Sequence, residues 1–367
     1  MERGTALKVL FLTNVPSPYR VDFFNALGKL CDLTVLFENH NAKSRDTAWV
    51  ADSMDCFKAV YLKGIRIGEA ESFSLDVLQY LSNKRYDVIV VGMYSSPTGM
   101  LAIEYMRLKK IPFVLSSDGG MKKEDSGIKH RIKAHFIGAA KGWLSTGETT
   151  SEYLKYYGAT DDRIFKYPFT SVKSKDILMH PLTQTQKLEY RKKLNMKEKR
   201  VILSVGQFIY RKGYDVLLKA CNGLDSDIGI YIVGGKATEE YLKMKKNLNL
   251  INIHFVDFMP KKDLANYYKA ADIFVLPTRE DIWGLVVNEA MSYGLPVVTT
   301  NKCVAGSEMI VNGENGYIVP VENSDALKAA MISSFDISAE NVLRTAKNYS
   351  IEEMVQCHIT AFEEWIN

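Results

Sequence analysis

Two stretches of this chain open with the same grammar, and that repetition limits what it can fold into more than any other feature. Leu7-Lys8-Val9-Leu10-Phe11-Leu12-Thr13-Asn14 is a short apolar run followed by the turn-rich Pro16-Ser17-Pro18. A helical pattern then places Phe23, Phe24, Leu27 and Leu30 on one expected face, and a second strand follows at 33–37. Val201-Ile202-Leu203-Ser204-Val205-Gly206 repeats the theme, with a loop to Gly213, a helix through Val216, Leu217 and Ala220, and a strand at 228–233 that closes on Gly234-Gly235. Apolar runs at 87–91, 113–116, 253–256, 273–276 and 297–300 alternate with further helical patterns. Such alternation builds parallel, doubly wound sheets, whose ligands gather at the carboxyl ends of the strands.

A chain of 367 residues exceeds the size at which one hydrophobic core stops growing, so two domains are expected. The expected fold class is α/β, with two Rossmann-like domains facing each other across a cleft. The first is placed at 1–180 and the second at 195–345. The stretch from about Ser171 to Arg200 has no strand pattern, contains Pro181 and ends in a charged run, which marks a linker. With 47% hydrophobic and 25% charged residues, disorder and repeat arrays are excluded. The apolar run at 7–12 is far too short for a signal h-region or a membrane span, and no other window approaches about 18 apolar residues, so a cytoplasmic protein is expected. Five scattered cysteines without C-x-x-C spacing read as reduced thiols.

The net charge of +4 is unevenly spread, with balances of 0 over 1–100, +10 over 101–200 and −6 over 201–367. The basic middle third suits an anionic partner, a phosphorylated acceptor or an acidic membrane surface, and equally an ordinary lysine-rich face. Within it, Lys122, Lys123, Lys129, Arg131 and Lys133 surround the amphipathic pattern Ile128, Ile132, Phe136 and Ala139. That pattern reads as a basic helix on a membrane surface or as a helix packed on its own sheet, and a peripheral position on the inner membrane face follows from the first reading. Nucleic acid is not an expected partner.

The densest chemical signal is the run from Thr278 to Val298. A strand ends at Leu276, the acidic loop Glu280-Asp281 follows, and a helix is predicted from near Gly284 to Gly294, where Pro296 prevents its continuation. The amino end of that helix, at Trp283-Gly284-Leu285, favours an anion such as a diphosphate. Glu289 lies on the helix behind it. A second block, Gly206-Gln207-Phe208-Ile209-Tyr210-Arg211-Lys212-Gly213, places cations in the loop after the first strand of the second domain. A leaving diphosphate needs such fixed cations where no metal serves.

The two carboxylates Asp281 and Glu289, the following Ala290-Met291 and the run Gly294-Leu295-Pro296-Val297-Val298 resemble family 4 of the retaining glycosyltransferases, which have the GT-B fold. The resemblance implies that the first carboxylate holds hydroxyls of the donor sugar, that Glu289 holds ribose hydroxyls and that Lys212 serves the phosphates. Two positions depart from the family pattern. Aspartate stands where glutamate is usual, with Glu280 directly before it, and Gln207 stands where an arginine is usual, which Arg211 could replace. Gly234 and Gly235 resemble the family's glycine turn near the nucleotide, and the loop with Phe258 and Met259 resembles the segment that contacts the base. Gly306 and Ser307 would offer backbone N–H groups to the phosphates, and Asn315-Gly316 reads as a hairpin turn.

In the first domain, the loop Val15-Pro16-Ser17-Pro18-Tyr19-Arg20 and the segment Ser117-Asp118-Gly119-Gly120 each follow a strand. Asp118 suits binding of an acceptor hydroxyl, stabilisation of positive charge at the anomeric carbon, or simple capping of its own turn. By resemblance a closing helix at about 345–367 crosses back onto the first domain. The expected function is retaining transfer from a nucleotide sugar, UDP- or GDP-linked, to a glycan or lipid-linked acceptor in cell-surface polysaccharide synthesis. Rival readings are a nucleotide-sugar epimerase or phosphorylase of the same fold, and a non-catalytic two-lobed sugar-binding protein. No metal or other cofactor is expected, because Asp225-Ser226-Asp227 precedes its strand and the six histidines lack paired spacing.

Overall fold

The computed structural model describes residues 6–41, 53–68, 70–122 and 125–366. The chain divides into two compact units, one formed by 1–171 together with 350–367 and the other by 172–349.

In the first unit, β1 (Lys8–Thr13) leads through α1 (Pro18–Leu27) to β2 (Asp32–Phe37), then to β3 (Lys58–Tyr61) and a small antiparallel pair, β4 (Ile65–Arg66) and β5 (Ser72–Phe73). After β6 (Val88–Val91) come α2 (Pro97–Lys109), β7 (Val114–Ser117), α3 (Gly127–Ile137), β8 (Gly142–Ser145), α4 (Glu148–Tyr156) and β9 (Ile164–Lys166). Among the described residues these form a parallel sheet of seven strands in the order β3-β2-β1-β6-β7-β8-β9. The strands are short and apolar because both faces are covered: Val9, Leu10, Leu12, Val88 and Val90 are fully buried.

α1 starts on Pro18, whose fixed φ suits a first helical position, and buries Phe23, Phe24 and Leu27. It stops at Gly28, where a Cβ would lie 2.0 Å from the Cys56 carbonyl oxygen. The chain therefore turns before Leu30, which is 54% exposed and does not join the expected apolar face.

The second unit begins with α5 (Gln184–Lys193), inside the stretch read as linker. Thr183 and Gln186 close a capping box at its start, so a helix forms despite Pro181 and the charged run. The unit continues through β10 (Arg200–Val205), α6 (Tyr214–Ala220), β11 (Ile228–Val233), α7 (Glu239–Asn247), β12 (Ile253–Val256), α8 (Lys261–Ala270), β13 (Ile273–Leu276), α9 (Leu285–Ser292), β14 (Val297–Thr300), α10 (Val304–Met309), β15 (Gly316–Val319), α11 (Ser324–Ser333) and α12 (Ala339–Lys347). Its parallel sheet has the order β12-β11-β10-β13-β14-β15 among the described residues.

β15 corrects the expected hairpin at Asn315-Gly316. The strand runs parallel to β14, a pairing that needs a crossover, which α10 supplies. Asn315 is buried instead: its side-chain N–H groups donate to the Met309 carbonyl and Thr345 Oγ1 at 2.9 Å each, and its Oδ1 accepts from the Val311 N–H at 2.9 Å. Gly316 is required there because a Cβ would meet the Val297 carbonyl oxygen at 2.1 Å.

The final helix, α13 (Ile351–Ile366), belongs to the first unit. Ile351, Met354, Val355, His358, Ala361 and Phe362 form one buried face, and the His358 ring lies 4.7 Å from that of Phe23 on α1. The chain thus returns to the unit in which it began.

Candidate active site

The order of the second sheet reverses between β10 and β13, the two strands whose following loops carry the expected cations and carboxylates. This is where open α/β sheets bind ligands. After β10 the chain passes Gly206 and exposed Gln207, buries Phe208 and forms a tight turn over Tyr210–Lys212. Gly213, at φ 69°, ends that turn, and a Cβ on it would lie 2.0 Å from the Pro277 carbonyl oxygen. Only glycine lets the β10 loop lie this close to the β13 loop.

The close approach brings the charges together. Lys212 Nζ lies 2.6 Å from Asp281 Oδ2, and both side chains are mostly buried. Arg211 Nη1 lies 3.5 Å from the same oxygen and donates to the Glu280 carbonyl at 2.7 Å. Gly284, at φ 103°, then turns the chain into α9, and a Cβ there would meet Cys303 Sγ at 2.9 Å. Burial pushes the Cys303 thiol up to about 11, helped by the Asp281 charge, so it is an inert packing group. Leu285 opens α9 half-buried. One helix turn later Glu289 accepts the Tyr268 hydroxyl at 3.0 Å. Burial first, and then the Glu289 charge, drive the Tyr268 hydroxyl well above its ordinary pKa, so it remains a donor to that carboxylate.

The remaining glycines and the base loop complete the rim. A Cβ on Gly234 would sit 1.8 Å from the Gly206 carbonyl oxygen, so the ends of β10 and β11 touch through glycine alone. Gly235, at φ 112°, has open space above it. Phe258 and Met259 follow β12, Phe258 exposed and Met259 half-buried. Four adjacent strands therefore deliver Gly206 to Lys212, Gly234-Gly235, Phe258-Met259 and Glu280 to Glu289 to one edge of the sheet.

Three expected contributors border the Asp281 loop but have groups engaged within the protein. Trp283 is buried, its indole N–H donating to Asn288 Oδ1 at 2.8 Å, so its ring is part of the core under the loop. Gly306 and Ser307 are inside α10. The Ser307 N–H is bonded to the Cys303 carbonyl at 3.2 Å, and the Gly306 N–H faces the Cys303 thiol. Gly306 is small because a Cβ would meet Thr299 Cγ2 at 2.5 Å. Asp225 and Asp227 form the turn ahead of β11, where Asp225 Oδ1 accepts the Asp227 N–H at 3.3 Å. Among the described residues no three His, Cys, Asp or Glu side chains converge as a metal site would require.

In the first unit, Asp118 follows β7 and is ion-paired with Arg20 of α1. Arg20 is almost fully buried; burial opposes its charge, but Asp118, Tyr19 and Tyr167 outweigh that and raise its pKa. Its partner explains why a buried guanidinium is tolerated. The Tyr167 ring packs on His358 at 4.4 Å, and burial holds the His358 imidazole down at about 4, neutral at physiological pH. On α3, Ile128 and Ile132 are both exposed, at 74% and 47%, so the helix does not pack through the expected four-residue stripe. Lys133 bonds Asp125 at 2.8 Å, and Lys123 lies outside the described residues.

Residues 186–350 match the family described as Glycosyl transferases group 1. The group 1 match covers the switch point, both cationic and acidic loops, and α9. An uncharacterized glycosyltransferase of Haemophilus influenzae is 34% identical over 154 residues, 41% of this chain and 42% of that protein. D-inositol 3-phosphate glycosyltransferase of Corynebacterium diphtheriae is 29% identical over 203 residues, 50% of this chain and 46% of that protein. The chain thus spans under half the length of these two relatives in the matched region. In three dimensions the likeness is longer. The structure of Anabaena HepE in complex with UDP aligns with a TM-score of 0.74 at 15% identity, over 98% of this chain and 100% of that one. Sucrose-phosphate synthase from Thermosynechococcus elongatus aligns at 0.71 with 16% identity, over 98% and 99%. The fold is GT-B, with two Rossmann-like halves, the first of which includes the C-terminal helix.

Proposed function

We propose that this protein is a glycosyltransferase that moves a sugar from a nucleotide-sugar donor to a glycan or lipid-linked acceptor in cell-surface polysaccharide synthesis. The observation that carries the reading is the convergence of Lys212, Arg211 and Asp281 at the switch point of a sheet whose sequence matches group 1 glycosyltransferases. Two cations and the amino end of α9 can receive a diphosphate, while Asp281 and Glu289 can accept hydroxyls of sugar and ribose. The likeness to HepE, which binds UDP, supports a uridine nucleotide as the first donor to try.

The chemistry we propose retains the anomeric configuration. The bond from the anomeric carbon to the diphosphate oxygen breaks, and the acceptor oxygen forms its bond on the same face. The acceptor proton passes to the departing diphosphate, whose new charge Lys212 and Arg211 stabilise without a metal. In the first unit Asp118 is held by Arg20, which suits it to orient an acceptor hydroxyl from a fixed position. The exposed isoleucines of α3 amid its basic residues support a peripheral attachment to an anionic, inner membrane face. Incubation with a panel of UDP- and GDP-sugars tests the reading: slow release of free nucleotide from one donor is expected. A released epimeric nucleotide sugar, or binding without turnover, would refute it.

A further inference from the structure

Arg279 lies in the β13 loop, between Thr278 and Glu280, and its guanidinium is occupied on three sides. Nη1 and Nη2 donate to Asp215 Oδ1 and Oδ2 at 2.9 and 2.7 Å, a fork on a carboxylate in the first turn of α6. Nη1 also donates to the Tyr210 carbonyl at 2.7 Å, and Nε donates to Glu322 Oε1 at 2.7 Å, just beyond β15. The Tyr210 ring lies against the guanidinium at 3.8 Å. In the main chain the Arg279 N–H donates to the Arg211 carbonyl at 2.8 Å, and Thr278 Oγ1 donates to the same oxygen at 3.0 Å. The turn gripped in this way, Tyr210–Lys212, is the one that carries both cations of the candidate site.

We infer that Arg279 is a positioning residue for the donor diphosphate, a role that rests on the glycosyltransferase reading above. It fixes the Tyr210–Lys212 turn so that Lys212 and Arg211 converge on the Asp281 loop before any anion arrives. Preorganised charge stabilises a transition state because nothing has to reorient when charge develops. The geometry also explains why the residue is arginine. A lysine keeps the charge but cannot hold Asp215 by two parallel bonds, reach the Tyr210 carbonyl and Glu322, and stack on a ring at once. Burial alone would raise the Asp215 carboxyl, yet the fork from Arg279 holds it below its ordinary range. The fork thus favours the ionised form of the Asp215 carboxyl.

The test compares wild type, Arg279→Lys, Asp215→Asn and the double variant in donor turnover, with melting curves beside each. Arg279→Lys is expected to lose at least about tenfold in kcat/KM, most of it in kcat, with a folded melting transition retained. Asp215→Asn removes the fork while keeping the guanidinium, and is expected to fall in the same direction. The double variant should be little worse than Arg279→Lys alone, because both act through one contact. Added methylguanidinium should partly restore Arg279→Ala. Wild-type kcat and KM in Arg279→Lys, or a loss seen only in melting temperature, would overturn the inference. If the wild type turned over no donor in the panel, the glycosyltransferase reading would be the one to fail. Calorimetric titration with UDP and GDP then decides the inference: weaker binding by Arg279→Lys upholds it, and equal binding or none by wild type overturns it.

Discussion

Replacing Lys212 by methionine removes the ammonium while keeping most of the stem, and the structure sets what should follow. Lys212 and Asp281 meet at 2.6 Å with side chains 12% and 14% exposed, so solvent does little to replace the lost partner. Arg211, 3.5 Å from the same carboxylate oxygen, stays as a weaker counter-ion and keeps the loss within the range of one charge-assisted bond. That bond is worth about 1.5–3 kcal/mol, which for a unit the size of 172–349 corresponds to a fall in its melting temperature of roughly 3–12 °C. The kinetic cost should be larger relative to its cause, since removing one preorganised charge stabiliser costs about 3 kcal/mol, or some 10²- to 10³-fold in rate. The assay is initial-rate release of nucleotide from the active donor, with and without acceptor, on protein shown to be folded by its melting curve. Lys212→Met combined with Asp281→Asn should be less damaging than the product of the two single effects, because the groups are in direct contact. A folded Lys212→Met within about threefold of wild-type turnover, less than 1 kcal/mol in barrier, would refute the assignment of Lys212 to the leaving diphosphate.

Asp281→Asn should reduce transfer by roughly an order of magnitude or more, since each charge-assisted hydrogen bond to a sugar hydroxyl is worth about 1.5–3 kcal/mol, whereas Glu280→Gln should do much less; the reverse ranking with one donor would move the sugar-binding role to Glu280. Activity should persist in excess chelator, and complete, magnesium-reversible loss would show that fixed cations do not suffice. Binding to anionic vesicles should exceed binding to neutral ones and weaken steeply with salt as the Debye length falls from about 10 Å at 0.1 M to about 3 Å at 1 M, so equal co-sedimentation with both lipids would end the membrane reading. Glu38, which follows β2, is 2% exposed and raised from 4.5 to about 7 by burial, against hydrogen bonds from Ser96, the Ser72 N–H and Thr98 and with Glu71 adding to the rise. Its neutral form therefore favours the fold: this stability is complete below about pH 4.5 and is lost as pH rises through about 7, a change of order 3 kcal/mol. Glu38→Gln should melt with wild type at pH 5 and above it at pH 8, and a pH-independent difference would contradict this.

The parallel sheets were legible in the sequence because strands buried on both faces must be continuous apolar runs. The runs at 228–233, 253–256, 273–276 and 297–300 became strands with those bounds. β3, β8 and β9 were missed. β3 and β9 are the edge strands of their sheet and have no fully buried residue, and β8 sets only Trp143 and Leu144 between Gly142 and Ser145, so no apolar run marks them. Asn315-Gly316 failed for a related reason: its turn chemistry is local, whereas the Thr345 hydroxyl and the Val297 carbonyl that claim it come from other parts of the chain.

The same division holds at the candidate site. Sequence by itself determined which loops carry cations and carboxylates, because the short runs around Lys212 and Asp281 hold unusual charge next to strand ends and a helix start. Only the tertiary structure decided what those charges do to one another. The strand order β10-β13 sets residues 64 and 69 positions apart side by side, so that Arg279 reaches back to Asp215 and Lys212 meets Asp281. Tertiary packing likewise turned Trp283 and Gly306 inward in the second unit and paired Asp118 with Arg20 in the first. Apolar periodicity is a local property and survives being read along the chain. Coulomb attraction and hydrogen bonding depend on distances of a few ångströms between segments, and those distances exist only once the sheets have formed.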